Sequence, residues 1–391
     1  MAIEYNLNDM QKRRRKKKLI RFAKKAAAIL IIAIIGVLLY VFRAKWIPLF
    51  EGIGTKYENT IRNSGDLAEE NFPIKIRGTT DHEICVTDDY LTYIDDTHFH
   101  IYSIDGELIA ERQHSYSSPV LKSGNKRSVI YDCGGKKLKV ESKQKTVYEK
   151  EFSGNIILAE LSGNDSAAVV SEGDGFACIM NVYNPDGSEK YTIKNVEGRI
   201  IDVDFYVGSS GCVAVNVGVE GGKLVSSLSK YDFSKTEPDW RSDSVDTFAV
   251  SAEIMQNGDI AVFGDTKFAY YSEEGKLMGT YEYPYQLADF SAGVSNSAIL
   301  LQREEFRKST LVIINDVNNP ITIELDKTAK AVYTAEKEVY VLTTDELIAY
   351  SFDGVKIDSI EVSDNHTGFV KIDDYIFFNG YNEINRTEFA G

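Results

Sequence analysis

The sequence predicts an all-β chain: four-stranded blades closed into a ring, preceded by one N-terminal transmembrane α-helix. Three observations carry this. A single run of seventeen apolar residues, 26–42, has cations crowded on one flank. From residue 72 onward no helical period is sustained, and short alternating β-rich runs are separated by Gly, Asp and Asn turns. Finally, one unit recurs about every forty residues, the period of a β-propeller blade.

The anchor comes first in the chain. As a helix, residues 26–42 rise about 25 Å against a hydrocarbon core of about 30 Å. Lys24, Lys25 and Arg43 close that gap by snorkelling, with Tyr40 and Trp46 at headgroup depth. Ten basic residues from Lys12 to Lys25 stand on one side and only Arg43 and Lys45 on the other. That asymmetry puts residues 1–25 in the cytoplasm as a basic tail, and everything after Trp46 outside the membrane. A cleaved signal peptide would show a shorter apolar region and a small-x-small cleavage site. A helix buried in a soluble core would not carry ten cations at one end. The spacing favours an uncleaved single-pass anchor.

The net charge of −15 hides a division. Residues 1–45 hold twelve Lys and Arg against Glu4 and Asp9, a charge of +10, so residues 46–391 carry −25. So acidic a segment excludes nucleic acid and anionic headgroups as its partners. Residues 43–71 read as a stalk, broken by Gly52, Gly54 and Gly65.

The repeat fills residues 72–389. Runs at 84–87, 90–94, 99–103 and 107–110 supply four strands within about thirty residues. The motif Tyr102-Ser-Ile-Asp-Gly106 returns as Tyr183-Asn-Pro-Asp-Gly187, Tyr271-Ser-Glu-Glu-Gly275 and Tyr350-Ser-Phe-Asp-Gly354. Each is an aromatic strand end running into an acidic-Gly hairpin turn. Degenerate copies at 140–145, 231–235 and 314–319 fill the gaps, which makes seven units. Past the seventh, runs at 369–372, 375–379 and 383–389 give three more strands, and 72–77 gives an orphan strand before the first unit. Three plus one closes an eighth blade from both ends of the domain and leaves no unpaired radial edge. Eight blades are therefore preferred over seven with ragged extensions.

The four-stranded unit with its Tyr-x-x-Asp-Gly outer turn resembles the quinoprotein-like and WD40-like propeller group. Closer still, Arg112-Gln-His-Ser-Tyr-Ser-Ser-Pro-Val-Leu-Lys122, Tyr131-Asp-Cys-Gly-Gly-Lys136 and Thr146-Val-Tyr-Glu149 are similar to a domain-of-unknown-function family. That family comprises single-pass, propeller-bearing membrane proteins of Gram-positive bacteria. The basic tail, the anchor and the opening Phe72-Pro-Ile fit it as well. The resemblance implies a fold and a place in the cell membrane; it implies no reaction. Quinone-dependent dehydrogenases repeat a Trp docking motif in most blades, whereas only Trp46 and Trp240 occur here. The Asp-box of sialidases and the Gly-His and Trp-Asp pairs of true WD40 blades are missing too.

His98 and His100 alternate on one strand and share a face, and Asp95 and Asp96 precede them. A metal site can be drawn on paper, but the sequence places no third ligand, and the strand's place on the outer half of its blade favours a solvated strand face. The pairs Asp88-Asp89, Asp95-Asp96 and Asp373-Asp374 stand where hairpin turns are expected, and read as turn chemistry rather than calcium ligands. No nucleophile elbow and no phosphate loop followed by a helix occurs, so no catalytic residue, cofactor or metal is assigned. Cys85, Cys133, Cys178 and Cys212 are too far apart for a metal knuckle or redox pair, and their disulfide state stays open. Glycines 221 and 222 read as turn glycines.

The segment Arg112-Gln-His114-Ser-Tyr116 joins the first blade to the second, and Arg112, His114 and Tyr116 form a candidate partner-binding patch. The alternative is that these side chains latch neighbouring blades. The expected function is a non-enzymatic interaction scaffold or adaptor in the cell envelope, with envelope proteins as partners. The alternative is a sensor holding a small molecule or cell-wall fragment in the central funnel.

Overall fold

The computed structural model describes residues 71–76, 84–196, 198–303 and 307–389. The basic tail, the 26–42 anchor, the stalk up to residue 70 and His82 lie outside the described residues. Among the described residues no helix is long and apolar enough to cross a membrane.

Eight antiparallel four-stranded sheets make up the ring. Blade 1 is Ile84–Thr87, Tyr90–Ile94, His98–Ser103 and Leu108–Gln113, paired in chain order. Blades 2 to 7 repeat this meander over residues 119–151, 156–195, 199–241, 249–282, 286–325 and 329–361. Blade 8 takes His366–Ile372, Tyr375–Gly380 and Glu383–Glu388 from the end of the domain. Its fourth strand is Ile74–Lys75, with Ile74 opposite Ile384 and Lys75 opposite Glu383. The preference for eight blades, closed by the chain's own start, is borne out.

First strands touch around the centre from blade 1 through blade 5 and from blade 6 through blade 8 back to blade 1. Burial follows this order. The second strand of blade 1 is buried throughout, while its fourth strand is open to solvent. The apolar residues fall into eight clusters, each shared by two adjacent blades. No blade has a core of its own, so each is stable only between its neighbours.

The Tyr-x-x-x-Gly turns explain how alternate blades are coupled. In all four the glycine takes a left-handed conformation, φ +78° to +80°, and the ladder slips by one residue at the tyrosine. This is a type I turn closed by a G1 bulge. The second turn residue of each then offers its carbonyl to the preceding blade. Arg386 donates to Ile104 O at 2.9 Å, Arg127 to Pro185 O, Trp240 Nε1 to Glu273 O at 3.1 Å and Asn315 Nδ2 to Phe352 O at 2.8 Å. Four donors thus serve one position in blades 1, 3, 5 and 7, the blades that carry the motif.

Candidate functional site

His98 and His100 do share a face, their rings 6.0 Å apart. That face is not solvated as expected. His100 is buried, stacked at 4.4 Å on Tyr93, and its Nε2 lies 2.8 Å from Asp95 Oδ2. Asp95 Oδ1 accepts from the Thr97 and His98 N–H groups at 2.7 and 2.6 Å, closing the hairpin. Burial raises the Asp95 carboxyl, but the bonds from Thr97, His100 and His98 outweigh it and hold it at about 2. Asp88 and Asp373 take left-handed turn conformations, which agrees with the turn reading of the acidic pairs. Among the described residues no group of three or more His, Cys, Asp and Glu is placed to hold a metal ion. All four cysteines are free thiols; Cys178 and Cys212 are buried in the cluster of blades 3 and 4, Cys85 is half-buried and Cys133 is exposed.

The 112–116 connection is brought together, but it turns largely inward. Arg112 reaches across to blade 2, donating to Ser142 O at 2.9 Å, Lys143 O at 2.8 Å and Glu141 Oε2 at 3.2 Å. His114 is buried; its Nε2 lies 2.9 Å from Asp95 O, and burial pushes the imidazole pKa down. Tyr116 is buried as well, its ring 5.2 Å from that of His114 and packed in the cluster between blades 1 and 2. This is the geometry of a latch, the alternative reading of the segment. Gln113, Ser115 and part of Arg112 face solvent.

Two features went unread in the sequence. The first strands of blades 3, 4 and 5 bring four carboxylates into one another's field around the centre of the ring. Glu253 is pushed up to about 8 by burial and by Asp204, Asp202 and Glu160. Glu160 is pushed up to about 7 by burial, against the pull of Lys122 at 3.1 Å. Asp204 is pushed up to about 6 and Asp202 is also raised, both by burial first. The two aspartates have a structural task too: Asp202 Oδ2 accepts from Ala252 N at 2.8 Å and Asp204 Oδ2 from Ile254 N at 2.6 Å, joining blade 4 to blade 5. Asp289 does the same for Val332 N between blades 6 and 7.

The second feature is a projecting hairpin. The middle strands of blade 4, Gly211–Glu220 and Lys223–Asp232, each have ten residues, where the middle strands of the other blades have five to eight. At about 3.4 Å per residue, two residues more than the longest other middle strand add roughly 7 Å to the arm that ends at Gly221-Gly222. Val219 and Leu224 face each other across the strands near the tip and are 69% and 54% exposed. The signal was present as Val213-Ala-Val-Asn-Val-Gly-Val219 running into Gly-Gly, an alternation longer than any other blade's.

The chain belongs to the family of unknown function DUF5711, whose model matches residues 69–386. This agrees with the resemblance read in the sequence. No curated protein matches the chain. Its fold is similar to that of BamB from Moraxella catarrhalis, at 12% identity over 80% of this chain and 95% of that one, TM-score 0.54. It is also similar to Saccharomyces cerevisiae Sqt1, at 10% identity over 81% and 98%, TM-score 0.61. The C-terminal WD40 domain of Sif2 is similar at 12% identity over 81% and 99%, TM-score 0.58. At such identities the likeness carries the fold alone.

Proposed function

We propose that this member of the DUF5711 family is an extracytoplasmic interaction scaffold, tethered to the cell membrane by residues 26–42 and not an enzyme. The observation that carries the proposal is the hairpin of blade 4. Blade 4 has the longest middle strands of the eight, and the arm they form ends in exposed Val219 and Leu224 beside a Gly-Gly turn. An exposed apolar pair at the end of a projecting hairpin adds little to the core and is available for contact. The WD40-like fold supports the same reading. The partner would be an envelope protein with basic residues around its contact surface, given the −25 charge of residues 46–391. From the 112–116 connection only the solvent-facing edge of Arg112 and its neighbours would meet that partner, with His114 and Tyr116 fixing the shape beneath.

The test places a photocrosslinker at residue 219 in the full chain in living cells. Crosslinking to the same envelope protein, lost on Leu224→Asp with an unchanged melting temperature, is the expected result. A crosslinking pattern indifferent to that substitution overturns the proposal. Topology is tested by protease on protoplasts: the propeller is removed and the tail spared, and survival of the propeller refutes the orientation.

The four central carboxylates favour a second reading, a sensor with a ligand in the funnel. A cationic ligand is favoured there, since it would draw off the protons that burial holds on Glu253 and Glu160 and pair with the carboxylates. Thermal stabilisation by cationic metabolites or amine-bearing wall fragments supports it.

A further inference from the structure

We propose that the upper part of blade 4, beside the hairpin tip, is a binding site for a ligand carrying a single carboxylate. The alternation of side chains defines the surface. Cys212, Ala214 and Tyr231 turn toward blade 3 and close the core there. Two-residue steps along the same strands put Asn216, Gly218 and Glu220, with Ser229 and Ser227 opposite, on that same face. Higher up the hairpin outgrows the ring, so this face stops being apolar and becomes a hollow of about 290 Å³ lined by these residues and Arg241. That volume lies at the lower end for small-molecule sites.

The floor is fixed. Asn216 is buried; its Nδ2 donates to Ser229 Oγ at 3.0 Å and its Oδ1 accepts from Asn195 Nδ2 at 2.9 Å. A Cβ built on Gly218 would meet no atom within 4 Å, so the recess is open above it. At the rim stand two charges in different states. Glu220 is engaged, its Oε1 accepting from Ser244 Oγ at 2.7 Å. Arg241 lies opposite Ser229 in the ladder and is exposed, with no carboxylate within ion-pair distance among the described residues. The hollow therefore holds two opposite charges without an ion-pair partner among the described residues: Glu220, held by a hydroxyl, and Arg241, whose guanidinium is left to a ligand.

A guanidinium beside hydroxyl and amide groups matches a planar carboxylate, which it pairs in bidentate fashion. Glu220 across the hollow disfavours phosphate and other dianions. The carboxylate could come from a peptide C-terminus or from a sugar acid, which share this chemistry.

The test uses the purified full chain and ligand-observed NMR with three probes: N-acetyl-dialanine, its C-terminal amide and glucuronate. The expected result is that at least one acid binds and the amide binds about tenfold more weakly or not at all. Preference between the two acids identifies the source. Arg241→Gln should weaken the acid about tenfold, Arg241→Lys should restore part of the loss, and Gly218→Val should fill the hollow and abolish binding without a change in melting temperature. Equal binding of acid and amide, no binding of either acid, or unchanged binding in Arg241→Gln overturns the proposal. Val219 borders the hollow, so crosslinking at residue 219 is repeated in Arg241→Gln: crosslinking that persists where acid binding is lost keeps this site apart from the contact at the tip.

Discussion

Single side chains in this protein are placed by neighbours far away in sequence, and this limits what the sequence reveals of them. Arg112, His114 and Tyr116 have the residue types of a contact patch, yet Arg112 finds its partners 29 to 31 positions on, in the next blade. Alternation tells which face of a strand a residue occupies; it does not tell that another blade covers that face. Replacing all three by alanine should therefore lower the melting temperature and cost on the order of 3 kcal/mol, because Glu141 would be left buried without its cation. Unchanged thermal unfolding would return these residues to the surface role. The central carboxylates were hidden for the same reason: Glu160, Asp202, Asp204 and Glu253 look like ordinary polar positions of separate strands. Glu253 is raised to about 8 in the folded state, above an unfolded value near 4.5. Its contribution to stability is fully present below pH 4.5 and is lost as the pH rises through 8. Glu253→Gln should thus stabilise the fold at pH 8, by about 1 kcal/mol once solvent screening of a half-buried carboxylate is allowed for, and have little effect at pH 5. Thermal melts of both proteins at the two pH values decide this; an equal effect at both removes the carboxylate cluster as the cause.

At the scale of the strand and the turn the sequence was far more legible, since these elements are specified locally. The motif ending at Gly106, Gly187, Gly275 and Gly354 encodes its bulge in five residues, and all four copies fold alike. What the motif does not encode is the blade it docks on. A Cβ at Gly187 would lie 2.7 Å from the Tyr148 ring of blade 2, whereas one at Gly134, φ +76°, would meet nothing within 4 Å. The two sites share the backbone cost of a non-glycine residue, about 1 kcal/mol. Gly187→Ala should exceed Gly134→Ala in destabilisation by the further cost of displacing the ring, about 1–3 kcal/mol. Chemical denaturation of the two variants measures the difference, and equal midpoints would show that the blade interface yields freely. The hairpin of blade 4 was legible as turn glycines but not as an arm, because blade strands have no fixed length in sequence and only comparison with seven aligned neighbours exposes the surplus.

The whole molecule depends on a contact between its two ends. Lys75 and Glu383 are 308 residues apart in sequence and face each other across blade 8. Ile74 and Ile76 are buried in the cluster that blade 8 shares with blade 1. A ring of blades without private cores gains from closure twice. The last interface is buried, and the two blades that would otherwise stand at an opening keep their apolar faces covered. Removing residues 72–76 from the full chain would unpair the outer edge of Glu383–Glu388 and expose the faces that the two isoleucines cover, each worth roughly 2 kcal/mol of burial. The expected result is a loss of about 4 kcal/mol or more. Amide exchange should rise first at Tyr375–Gly380 and Tyr90–Ile94, the second strands on either side of the seam, since opening starts where the ring has lost its fastening. Uniform exchange around the ring, with an unchanged melting temperature, would mean that seven complete blades hold the eighth without help from the start of the domain.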